Sequence, residues 1–149
     1  MSFTLSSFAP YRDAVFALSD GDVDVARREF LKCLEEARKE SVDGSDPLVS
    51  GLLQRLAAVE ARDGNREGAV VLLEKSLLAD RNSPLALLGY AKALAVELGD
   101  LAAASAMLDR TESLLTSLAW QPSDDDLPRE SYERRIAELR AEVRQRDAL

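Results

Sequence analysis

Gly64-Asn65-Arg66-Glu67-Gly68-Ala69-Val70-Val71-Leu72-Leu73-Glu74-Lys75-Ser76 places an alanine five residues after a glycine, a bulky apolar residue four further on and a small residue three beyond that. The same spacing returns at Gly21, Ala26, Phe30 and Cys33, and again at Gly99, Ala104, Leu108 and Thr111. Steps of four and three keep the last three positions on one helix face. A spacing that recurs along a chain marks a repeat architecture, in which units bury their apolar faces against one another.

Working outward, each turn glycine separates two helical patterns. The first helix is predicted at about 8–19, with Phe8, Tyr11, Val15 and Leu18 on one face. Asp20-Gly21-Asp22 is a turn in which glycine ends one helix and aspartate caps the next. Helices are then expected at about 23–40, 47–63, 66–79, 84–98 and 101–118. Pro47 and Pro84 stand at first helical positions, and Ser83 is the N-cap before Pro84. After the polar run Gln121-Pro122-Ser123-Asp124-Asp125-Asp126 comes a seventh helix, about 127–147, with Tyr132, Ile136, Leu139 and Val143 as its stripe. Runs of alternating β-branched residues are missing, which leaves no strand expectation. The organisation predicted is one all-α domain over 1–149: a first pair at 8–40, a second at 47–80, a third at 84–118 and a terminal helix at 127–147.

Composition narrows the function classes. The formal charge of −8 disfavours nucleic acid or an anionic membrane as partner, since both need clustered Lys and Arg. No stretch approaches the 18 or so apolar residues of a membrane span, and Met1-Ser2-Phe3-Thr4-Leu5-Ser6-Ser7 has no basic run before an apolar core. One cysteine forms no internal disulfide, which fits a reducing compartment, so the expected location is the cytoplasm. Histidine is absent, removing Ser-His and Cys-His dyads and the commonest zinc ligand. No Gly-rich phosphate loop occurs. No catalytic residue, cofactor or metal is expected.

The Gly–Ala–apolar–small pattern resembles the tetratricopeptide repeat, a family of helix pairs about 34 residues long. The resemblance covers roughly residues 8 to 118. It implies three antiparallel helix pairs in a right-handed solenoid, closed by the seventh helix as a solvating cap. It also implies that Ala26, Ala69 and Ala104 sit where the helices of a pair cross closest, that Phe30, Leu73 and Leu108 reach toward the neighbouring pair, and that Cys33, Ser76 and Thr111 keep the next crossing narrow. This chain departs from the pattern in places. Gly21 and Gly64 lie 43 apart, Gly64 and Gly99 only 35. Against the family's 34, the first gap has nine extra residues, assigned to a longer second helix and a loop at 41–47. Leu53 and Leu87 replace the family's first-helix aromatic, and Glu60 stands at a position usually aromatic.

Four further features each carry two readings. Asp20, Asp22 and Asp24 imitate the first ligands of a calcium loop, but Val25 and Leu31 stand where its glycine and glutamate belong, so turn and cap roles compete with calcium. Asp124-Asp125-Asp126 is a solvated linker or a weak cation site. Trp120 is a plug beneath the last helix or an exposed anchor. The last helix has six arginines against five acids, whereas residues 1–126 carry 13 basic and 22 acidic residues. Its 4-3-4 stripe suits either a cap or a homodimer seam.

The resemblance implies a concave groove lined by the first helices of the pairs. Transferred by position, it comprises Phe8, Tyr11, Val15 and Leu18, then Gln54, Ala58, Ala61 and Arg62, then Leu88, Lys92 and Ala95. Gln54 and Ala58 hold the positions at which co-chaperone members clamp a carboxylate with Lys and Asn, so that clamp is missing. The function expected is a non-catalytic adaptor or chaperone-like module binding a peptide segment or helix of another protein. The alternative is a self-assembling scaffold that uses the groove or the last helix.

Overall fold

The computed structural model describes residues 8–40, 47–80, 83–117 and 127–149. They form helices α1 (Ala9–Ser19), α2 (Val23–Glu40), α3 (Pro47–Arg62), α4 (Arg66–Ala79), α5 (Pro84–Lys92), α6 (Leu101–Thr116) and α7 (Arg129–Asp147), with a π-helical segment Ala93–Glu97 after α5. Among the described residues there is no strand, as expected, and no helix is long and apolar enough to cross a membrane. The chain divides into two compact units, Met1–Asp80 and Arg81–Leu149. The single domain expected over 1–149 is thus divided near residue 80.

In the first unit α1 folds back on α2 and α3 on α4, and α2 packs on α3. The turns explain the fold-back. Gly64 has φ of 84°, a region closed to most L-residues, and its N–H donates to the Ala61 carbonyl while Asn65 N–H donates to Glu60, at 3.1 and 2.8 Å. Gly21 and Asp22 repeat these bonds onto Leu18 and Ala17, at 3.2 and 2.8 Å. The following helices start on side-chain caps: Asp22 accepts from Val25 N–H and Asn65 from Gly68 N–H. The core joins Ala14, Ala17 and Leu18 of α1 to Phe30 and Cys33 of α2 and to Leu52, Leu53, Leu56 and Val59 of α3. Ala26, Ala69 and Leu73 are buried as expected of the recurrent spacing. Ser76 is buried too, where its hydroxyl donates to its own Leu73 carbonyl at 2.7 Å and Ser50 reaches the Ser76 carbonyl at 2.8 Å, so small polar residues sit at the crossing with their hydrogen bonds made.

Of the eight residues that separate the two turn spacings, four lengthen α2, which has 18 residues against 14 in α4. The expected 41–47 loop falls outside the described residues except for Pro47, which starts α3.

In the second unit α5 packs on α6, and α7 packs on both. Ser83 and Asp100 cap α5 and α6 through Ala86 and Ala103 N–H. The π-helical segment was not expected, and the chain's own register explains it. Buried Ser50, Leu52, Leu53, Ala57 and Val59 of α3 recur 34 residues later as buried Pro84, Ala86, Leu87, Ala91 and Ala93. Beyond that point the buried positions recur at 35: Ala69 and Ala104, Leu73 and Leu108, Ser76 and Thr111. One additional residue therefore lies between Ala93 and Gly99. A wider turn absorbs it, with Leu98 N–H donating to Ala93 at 3.1 Å and Asp100 N–H to Leu94 at 2.8 Å.

Candidate functional site

On α1 the strip Phe8, Tyr11 and Val15 follows from steps of three and four, with Pro10 fixing the first turn. All three side chains are half-buried, resting on the unit's core. Tyr11 presents an edge-to-face contact to Phe30, ring centres 6.1 Å apart at 68°. That contact packs the ring against the core. Leu18 differs from its neighbours: it is buried in the core. Its backbone carbonyl accepts from Gly21 N–H and from Arg62.

On α3, Gln54 and Ala58 are half-buried and Arg62 is exposed. Arg62 Nη1 donates to the Leu18 carbonyl at 3.3 Å, which ties the C-terminal ends of α1 and α3 together. Ala61 is half-buried. Phe8, Tyr11 and Val15 of α1 and Ala58 of α3 thus rest on the same core of the first unit, and the Arg62 bond to Leu18 joins the two helices. Gly51 stands three residues before Gln54, as Phe8 stands three before Tyr11, so the α3 strip is small where the α1 strip is aromatic.

Leu88, Lys92 and Ala95 belong to the second unit. Lys92 is exposed, but Leu88 and Ala95 are buried in that unit's core. Ala95 lies in the π-helical segment, where the additional residue rotates the positions read from the 84–98 pattern. Leu85, three residues before Leu88, is the exposed apolar side chain there and was overlooked. Its signal was available: Leu85, Leu88 and Lys92 repeat the spacing of Phe8, Tyr11 and Val15.

An ionic cluster beside α3 also went unrecognised. Arg27 of α2 donates to Glu60 Oε1 at 2.7 Å, to Asp63 Oδ2 at 2.6 Å and to Asp24 Oδ1 at 3.1 Å. Asn65 Nδ2 donates to the other Glu60 oxygen at 2.9 Å. Arg27's hydrogen bond holds the Glu60 carboxyl below the usual carboxylate range against the opposing effect of burial, and Asn65 adds to it. Glu60 and Asp63 in turn raise Arg27 above an ordinary guanidinium. The departure from an aromatic at Glu60 thus has a partner: the acid meets an arginine from the preceding hairpin. A signal existed here as well, because Arg27 interrupts the apolar series Val23, Phe30, Leu34 on α2.

Of the remaining candidates, Cys33, Asp22 and Asp24 take structural places. Cys33 is fully buried, and burial followed by the negative charge of Glu29 pushes its thiol up to about 11. Asp22 is a cap and Asp24 pairs with Arg27. No cluster of three potential metal ligands occurs among the described residues. Trp120 and Asp124-Asp125-Asp126 lie outside them. The α7 stripe, Tyr132, Ile136, Leu139 and Val143, is buried. Arg140 pins α7 to α6 through Asp109 at 2.9 Å and Glu112 at 3.3 Å. A homodimer seam on this stripe would require α7 to leave its own unit.

No protein-family model, no curated protein and no solved structure matches this chain.

Proposed function

We propose that the first unit is a non-catalytic binding module that holds a helix or peptide segment of a partner protein against α1 and α3. The observation that carries this reading is the pairing of two strips tied by the Arg62–Leu18 bond: half-exposed Phe8, Tyr11 and Val15 on α1, and slender Gly51, Gln54 and Ala58 on α3. An aromatic side chain already packed against the core loses little rotamer freedom on binding, so Tyr11 is suited to anchor a partner. The small α3 strip leaves room for the partner's side chains. The 34-residue recurrence of buried positions between α3 and α5 supports the tetratricopeptide resemblance, and with it the adaptor or chaperone-like role.

Affinity capture with the whole chain tests this. Ala58→Arg fills the small strip without removing core atoms, and Val15→Asp places charge on the aromatic one. Both variants should fold and lose the partner bound by the parent protein. Equal recovery of that partner by both variants would sink the proposal.

A further inference from the structure

The outward face of α4 carries two large exposed apolar side chains, where that of α2 carries one, Leu31. Val71 and Leu78 stand two turns apart on it, 48% and 61% exposed. The corresponding positions are Arg28 and Glu35 in α2, and Ala106 and Ser113 in α6. Between the two apolar residues, on the same face, lie exposed Glu74 and Lys75. Some outward charges are engaged, as in Glu36 with Lys39 and Glu142 with Arg146, while others, such as Glu35 and Arg38 of α2, have no ion-pair partner among the described residues. Glu74 and Lys75 have no ion-pair partner among the described residues.

The order apolar, acid, base, apolar is self-complementary. We propose that α4 is the contact by which two copies of this chain associate, antiparallel about a two-fold axis passing between Glu74 and Lys75. In that arrangement Val71 of each copy faces the other's Leu78, and each Glu74 faces the other's Lys75. A two-fold interface requires this reciprocity, since a residue i that meets j must also be met by i from the other copy. Helix ridges three and four residues apart supply the matching geometry. A parallel contact would instead set Glu74 against Glu74 and Lys75 against Lys75, so charge selects the antiparallel one. A face of 14 residues, roughly 21 Å long at about 1.5 Å per residue, makes a small interface. The dimer is accordingly weak and reversible, forming on the order of 100 µM. This contact is independent of the α1–α3 surface.

Sedimentation equilibrium of the full chain across a concentration series tests the contact. The parent protein should show a concentration-dependent dimer. Leu78→Glu, whose side chain is outward and whose helicity can be checked by circular dichroism, should weaken it at least about tenfold. Glu74→Lys and Lys75→Glu should each weaken it by facing like charges, and the two together should restore it. A monomer up to about 500 µM, self-association indifferent to Leu78→Glu, or a double variant no better than the singles would each overturn the proposal.

Discussion

Removing Arg27 should loosen the first hairpin from the second, and its coupling to Glu60 should be measurably larger than its coupling to Asp63. The two acids receive hydrogen bonds of similar length, 2.7 and 2.6 Å, but differ in exposure. Glu60 is 15% exposed and Asp63 44%, with Arg27 itself at 28%. An ion pair reaching well into solvent contributes about 0.2–1 kcal/mol, whereas a hydrogen bond to a shielded charge contributes about 1.5–3 kcal/mol. A double-mutant cycle with Arg27→Ala and Glu60→Gln should therefore give about 1–2 kcal/mol of coupling, discounted for the arginine's residual exposure. The parallel cycle with Asp63→Asn should give less than about 1 kcal/mol. Urea unfolding followed by circular dichroism supplies each corner. Proton linkage adds a second readout. Because the folded carboxyl of Glu60 titrates below its unfolded value, its contribution is complete above the unfolded pKa and is lost as pH falls through the folded one. The cost of Arg27→Ala should consequently shrink as pH falls below the ordinary carboxylate range. Coupling to Glu60 near zero, or no larger than that to Asp63, would refute the reasoning.

Gly64→Ala should cost about 1–2 kcal/mol in urea unfolding, entirely through the positive φ, because a Cβ there meets nothing within 4 Å. Ala69→Leu should cost about 1–3 kcal/mol by overpacking the α3–α4 crossing, with a lower thermal midpoint as the readout. Cys33 should resist an aromatic disulfide reagent at pH 8 and react fully in denaturant; rapid native labelling would contradict its burial. Deleting Val96 should remove the additional residue of the π-helical segment and leave stability within about 1 kcal/mol of the parent, whereas deleting Ala57 from α3 displaces its buried register and should cost over about 3 kcal/mol.

Much of the fold was legible because its rules are local. Glycine at 21, 64 and 99 marks positive φ, Asp22 and Ser83 mark caps, and the alanines five residues after each glycine mark buried positions. These depend on residues a few positions apart, so one sequence carries them. What went unread depends on pairs distant along the chain or on a count one residue off. Arg27 has meaning only once α3 delivers Glu60 and Asp63 to it. The π-helical segment was encoded in a spacing of 35 where the resemblance implies 34, a single residue that periodicity does not place. Leu18 and Leu88 share the helical spacing of surface positions yet are buried, because an apolar stripe is wider than the face that stays exposed. The α1 and α3 strip positions were legible individually; their union rests on Arg62 reaching a backbone carbonyl, which no side-chain pattern announces.

Photo-crosslinking is the most direct measurement of the binding role. A benzoylphenylalanine placed at Ala58, within the α3 strip, is compared in cells with one at Glu35, on the outward face of α2. The expected result is a discrete adduct with a second protein from position 58, absent from position 35 and lost when Val15→Asp is added. Adducts of equal yield at both positions, or none at position 58, would contradict the assignment of the α1–α3 face.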